Sequence, residues 1–129
     1  MAKFRMKLNV AVDDLDDLDH VNNVRYVQWI QDISKAHWQA TAAQEMQEEF
    51  IWVVLTHHIE YKSAAVLNDP IDLSTYIEKS TGATCTRIVE MHHGETDKLI
   101  VRSATEWCLV NKKTLRPSRI SPAIRRLFI

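Results

Sequence analysis

Glycine and proline are scarce, with two and three residues in a chain of 129. Few positions are left to break an element or form a linker, so the strands are expected to be regular and the chain undivided. Cysteine is as rare. Cys85 and Cys108 fall inside strand-like stretches, where a thiol reads as a small buried hydrophobe rather than half of a disulfide or a metal ligand. A reducing, cytoplasmic compartment is the expectation. Basic excess is missing too: the net charge is −1, which leaves nothing to neutralise a phosphate backbone, so nucleic acid is not an expected partner. No apolar run approaches the roughly 18 residues that a membrane span requires. The opening MAKFRMKLNV lacks the apolar centre of a signal peptide. What remains is an ordinary globular balance, 46% hydrophobic and 26% charged, suited to a single domain over residues 1–129.

The periodicities order the elements. Phe4, Met6, Leu8, Val10 and Val12 alternate with polar or small residues, a period of two that predicts a half-buried strand. From Val24 the period becomes helical. Val24, Val27, Ile30, Ile33 and His37 fall on one stripe with Trp29, Ala36 and Ala40 beside it, and Asn22 is placed as the N-cap. With no Gly or Pro between 24 and 51, helical character extends through 40–49, with or without a kink. Strands are expected over 51–62, over 71–78 after the turn LNDP, and over 84–92 paired with 99–111 across HGETDK. Ser121 and Pro122 open a short final helix. One strand, a helix with a wide apolar face, then four strands describe an α+β fold. In it a curved antiparallel sheet of about five strands wraps a long central helix.

The unusual stretch is DDLDDLDHVNNVRYVQWIQD, with five aspartates inside residues 13–19. As a calcium loop it fails: counting from Asp14, Leu18 stands at position five, Asp19 replaces the turn glycine, and Arg25 replaces the bidentate Glu. Zinc fares no better, because His57-His58 and His92-His93 each send neighbouring rings to opposite faces of a strand. No metal and no cofactor is expected. Asp13, Asp17 and Asp19 read as surface charges near a helix start, where the dipole tolerates them.

The spacing D-x-D-x-x-x-H-V-N-N-x-x-Y-x-x-W, carried by Asp14, Asp16, His20, Val21, Asn22, Asn23, Tyr26 and Trp29, resembles the hotdog-fold thioesterases. These include the 4-hydroxybenzoyl-CoA thioesterase-like hydrolases and the plant acyl-ACP thioesterases. HIEYKSAAVLNDPIDLSTYI and ATEWCLVNKKTLRPSRIS are similar to later strands of the same superfamily. The resemblance implies a hotdog fold, a homodimer or homotetramer joined edge to edge, and hydrolysis of an acyl-CoA or acyl-carrier-protein thioester. By the same correspondence Asp16 is the catalytic carboxylate and the backbone N–H of Asn23 the oxyanion donor. His20 and Asn22 orient the carboxylate, water or thioester, or serve only as loop bond and helix cap. Asp14 stabilises the loop, and Tyr26 and Trp29 pack the core or an interface. Lys62, Arg116 and Arg119 are the candidates for meeting the charged nucleotide end of CoA. The chain departs from the plant pattern in having Leu18 for a functional Asn and Ala64-Ala65 for a Glu-Cys pair. It departs from many CoA hydrolases in having Asp19 for Gly. Two other readings are a hotdog dehydratase using His20 and Asp16, and a non-catalytic dimer that binds acyl-CoA or an acylated carrier.

Overall fold

A computed structural model describes residues 3–129; Met1 and Ala2, the first residues of the opening stretch, lie outside it. The elements run β1 (Phe4–Asn9), α1 (Asn23–Thr41), α2 (Gln44–Glu49), β2 (Phe50–Tyr61), β3 (Pro70–Thr81), β4 (Thr84–His93), β5 (Leu99–Asn111) and α3 (Pro122–Arg126). All five strands form one antiparallel sheet in the order β1-β3-β4-β5-β2, with α1 in its concave face. This is the hotdog fold. Among the described residues no helix is long and apolar enough to cross a membrane.

Three expectations are corrected. The first strand stops at Asn9: Val10 is still buried, but Val12 sits in a single 3-10 turn (Val12–Asp14) and is exposed. The buried stripe of α1 keeps Trp29, Ile30, Ile33 and His37 of the one anticipated but turns away from the two valines. It comprises Tyr26, Trp29, Ile30, Ile33, Ser34, His37 and Trp38, while Val24 is 70% exposed and Val27 only half-buried. The large aromatic side chains claim the core and rotate the valines outward. The sheet is also not regular. Register shifts occur between Val54 and Thr56, Ile77 and Lys79, and Met91 and His92, and such bulges add the twist that lets five strands curl around a helix.

Helicity beyond Thr41 breaks at Ala42, whose ψ of 140° is extended, before α2 resumes it. Gln47 Nε2 donates to the Ala42 carbonyl at 2.9 Å, so the break leaves that group paired. Asn22 caps α1 and Ser121 caps α3, as their positions foretold.

The core is two apolar clusters with a polar seam between them. One gathers Val10, Tyr26, Trp29, Ile30, Ile33, Ile71 and Met91; the other gathers Trp38, Ile77, Leu109, Ile120, Ile124 and Phe128. In the seam Arg87, only 4% exposed, donates through Nη1 to His37 Nδ1 (2.9 Å) and Thr75 Oγ1 (3.0 Å). Across the sheet, His57 Nδ1 and Thr105 Oγ1 share a hydrogen bond of 2.8 Å.

The His37 ring lies between Phe4 and Phe128, each centroid 5.1 Å away. Burial, reinforced by the charge of Arg87, lowers its pKa to about 4. Below pH 6.5 the unfolded chain takes up a proton here that the folded chain refuses until about pH 4, so stability falls as pH drops through that window. Urea denaturation should show about 2 kcal/mol less stability at pH 5 than at pH 7 from this residue. In the His37→Gln protein that part of the slope should vanish; an unchanged slope would assign it elsewhere.

Candidate active site

The acidic stretch folds into a compact loop that ends at the start of α1. Asp14 is its anchor: Oδ2 accepts from Ala11 N (2.8 Å), Oδ1 pairs with Arg25 Nε (3.3 Å), and its carbonyl accepts from Asn22 N (2.8 Å). Asp13, Asp17 and Asp19 face solvent. Three of the five aspartates are therefore surface charges, and Asp14 holds the loop together.

Asp16 differs. Its N–H donates to the His20 carbonyl at 2.7 Å, while its Oδ1 accepts from Leu18 N (2.8 Å) and His20 N (3.2 Å). Closing this turn requires Asp19 in the left-handed region, at φ 59°, a backbone that glycine adopts most readily. Aspartate is one of the few side chains that tolerates that backbone. Two bridges, Leu15 with Val21 and His20 with Val66, tie the loop to itself and to the β2–β3 connection. One carboxylate oxygen is thus fixed by the backbone, and Oδ2 has no protein partner among the described residues.

The start of α1 supplies the complementary charge. The Val24 N–H is taken by Asn22 Oδ1 (3.0 Å) and the Arg25 N–H by the Asn22 carbonyl (2.9 Å). The Asn23 N–H, at the first helical position, has no acceptor among the described residues. Unpaired N–H groups at a helix start carry the positive end of the dipole.

Asp16, His20, Asn23 and Lys62 line one cleft of about 310 Å³, together with Tyr26 and Tyr61. Lys62 Nζ is 2.7 Å from Glu60 Oε2, and this contact holds the Glu60 carboxyl below its usual range. The Tyr26 hydroxyl is buried without a hydrogen bond of good geometry, and burial raises its pKa; the nearby Ala65 backbone opposes that rise. Asn22 does not line the cleft; its side chain is spent on the cap. Arg116 and Arg119 lie past the other end of β5, where Asn111 N donates to the Arg116 carbonyl. Within one chain they do not meet Asp16. Among the described residues no three His, Cys, Asp or Glu side chains converge as metal ligands.

Sequence reasoning missed Tyr61 and Ser63 as cleft residues, while Ala64, which also lines the cleft, entered it only as a departure from the plant pattern. No motif marks them, because a bend after an edge strand, and not a pattern, brings them there. It also missed Arg87, although the alternation of Cys85, Arg87, Val89 and Met91 set a cation on an inward-facing row.

A five-stranded sheet curled round one long helix, with this loop before the helix, defines a hotdog-fold protein of the thioesterase superfamily. The family model of the acyl-ACP thioesterase N-terminal domain matches residues 1–128, and the chain belongs to that family. It is 29% identical over 86 residues to a chloroplastic acyl-acyl-carrier-protein hydrolase of Cuphea viscosissima; the match covers 64% of this chain and spans 20% of that protein's length. Among solved structures it is similar to the 1,4-dihydroxy-2-naphthoyl-CoA thioesterase of Synechocystis, with a TM-score of 0.84, 13% identity, and coverage of 98% and 96% of the two chains. It is also similar to the 12:0-ACP thioesterase of Umbellularia californica, with a TM-score of 0.83, 18% identity, and coverage of 98% and 51%. At these identities the structural likenesses establish the fold alone.

Proposed function

We propose that this chain hydrolyses an acyl-CoA thioester to the free acid and CoA. One observation carries the reading: a carboxylate with one oxygen fixed and the other free shares a cleft with the uncommitted N–H of a helix start. The thioester carbonyl oxygen accepts from the Asn23 N–H, which gains strength as negative charge develops on that oxygen. Asp16 Oδ2 either removes a proton from the attacking water, or attacks the carbon itself and forms a mixed anhydride that water hydrolyses to the free acid once the thiol has left. The C–S bond then breaks, and the sulfur leaves as thiol after taking a proton. His20 orients the water from the cleft rim, and Asn22 acts by fixing the helix start. Lys62 meets a phosphate of CoA at the mouth.

The reading includes a homodimer, or a pair of dimers, joined along β2. β2 is an outer strand of twelve residues whose second edge is unpaired among the described residues, and Ile51, Val53 and Leu55 are 43–50% exposed along it. An edge so long and apolar is an invitation to pair. Antiparallel pairing about the strand's midpoint sets Phe50 opposite the partner's Tyr61. That brings the β5 end carrying Arg116 and Arg119 toward the neighbouring cleft. The cytoplasmic compartment is proposed with it, from two buried cysteines that form no disulfide.

A carrier-protein thioester is the second reading, favoured by the family match over residues 1–128. Against it, Leu18 is exposed and Ala64-Ala65 bring no acid or thiol to the cleft. Thiol release from a panel of acyl-CoAs, with the same acyl groups on acyl-carrier protein, decides between them. Saturable release from CoA esters is expected, with slower release from the carrier. The reverse order would make it a carrier-protein hydrolase. Silence on both would leave a binding protein.

A further inference from the structure

The larger cavity is not the cleft. About 390 Å³ in volume, it opens between the C-terminal half of α1, the start of β2 and the end of β5. Its walls include Trp38, Trp52 and Trp107, three of the four tryptophans in the chain. Three cations reach it, Lys35 and Lys112 at the exposed rim and Arg87 in the interior, and no aspartate or glutamate lines it.

Arg87 is 4% exposed, and no carboxylate pairs with it among the described residues. Its Nη1 is occupied by His37 and Thr75; its other N–H groups have no protein acceptor among the described residues. Trp107 Nε1 is likewise buried without a partner. Cys85, also at the wall, adds no negative charge, because burial pushes its thiol up to about 11. The cavity therefore has apolar sides, surplus donors and an uncompensated interior cation. Burying such a cation is costly unless something negative joins it. A saturated acyl tail would satisfy the walls and leave the donors as they are. A tail ending in a carboxylate would satisfy both, through the paired N–H groups that a guanidinium offers.

In one chain this cavity and the Asp16 cleft lie at opposite ends of α1, from Asn23 to Trp38, about 22 Å apart along the axis. In the proposed dimer, Phe50 and Ile51 at the cavity mouth stand beside the partner's Tyr61, a wall of the partner's cleft. We propose, resting on the thioesterase reading above, that the Arg87 cavity receives the far end of the acyl group and selects acyl chains that end in a carboxylate. The thioester is then held by one protomer and the acyl terminus by the other.

The test is equilibrium binding to the non-hydrolysing Asp16→Asn protein. Its ligands are suberoyl-CoA, whose eight-carbon acyl chain ends in a carboxylate, octanoyl-CoA of the same length, and CoA itself. Suberoyl-CoA should bind at least about 10-fold more tightly than octanoyl-CoA, the scale of a buried charge-assisted hydrogen bond. With Arg87→Gln added the preference should disappear or invert, while CoA binds as before. Equal or tighter binding of octanoyl-CoA with Arg87 intact overturns the inference, and that comparison stands even where Arg87→Gln fails to fold. Loss of CoA binding in Arg87→Gln would give the cavity to a CoA phosphate and overturn it as well. Wild-type hydrolysis of octanoyl-CoA without the preference would sink this inference alone; no binding and no hydrolysis of any ester would sink the thioesterase reading with it.

Discussion

Asp16→Asn should lower kcat for thioester hydrolysis by about 10²–10⁴-fold while leaving the loop as it is, the range that loss of a positioned base or nucleophile produces. Asparagine suits this experiment because of how the loop is bonded. The two backbone donors, Leu18 N and His20 N, both go to Oδ1, which the amide oxygen of Asn reproduces. Only the free oxygen changes, from an acceptor able to take a proton to an NH₂ group that cannot. Asp16→Ala would remove both backbone bonds and open the turn, so its loss of activity would mix folding with chemistry. Unchanged circular dichroism and melting temperature, together with collapsed kcat, are the expected pair. Retention of more than a tenth of wild-type kcat would remove Asp16 from the chemistry and leave it as a turn-forming residue.

Lysine at two positions of the free sheet edge should separate the protomers. In Val53→Lys/Leu55→Lys the new charges lie near the midpoint of β2, where the twofold pairing sets Leu55 opposite the partner's Thr56 and Val53 opposite the partner's His58, and so gathers four lysines about the axis. Like charges held together across an interface cost several kcal/mol, enough to weaken association by about 100-fold or more. Both side chains are at least 43% exposed within one chain, so the fold itself should survive. Sedimentation should report a monomer, and hydrolysis should fall with it, because the proposed site draws on both protomers. A double variant that remains dimeric would place the interface elsewhere. One that is monomeric and fully active would confine the site to a single chain.

The elements were legible where local chemistry decides them. Asn22 as a cap, Ser121 before Pro122, the hairpin between β4 and β5, and the alternation of β1 through Leu8 all follow from side-chain type and spacing. The centre of the α1 stripe was legible in Trp29, Ile30, Ile33 and His37, but its edges were not, because valine and tryptophan are both apolar and only packing shows which faces inward. The bulges were hidden for a related reason. Two glycines suggested regular strands, yet the shifts occur at Leu55, Glu78 and Ile100, residues that look ordinary in sequence. For the candidate site, the resemblance drew attention to Asp16, His20 and Asn23, and the fold brings all three to one cleft with Lys62. Asp14, two residues before Asp16, was expected to stabilise the loop, and its carboxylate bonds to Ala11 N and Arg25. The Arg87 seam was the least visible, since an arginine in an alternating strand reads as surface until its register is known.

The scarcity of glycine also bears on the chain before it folds. Asp19, Asn68 and Asp97 adopt the left-handed backbone that glycine usually provides, at φ between 59° and 70°. A glycine at each would relax the native turn, but it would give the unfolded chain many more conformations to lose. The two effects oppose each other, and an aspartate or asparagine accepts mild strain in the folded state for a narrower ensemble outside it. Leu115, at φ 59° with no polar side chain to ease it, carries that strain without the local hydrogen bonding that helps Asp and Asn. Part of this protein's stability therefore resides in no contact at all, but in how few shapes its turns can take when it is unfolded.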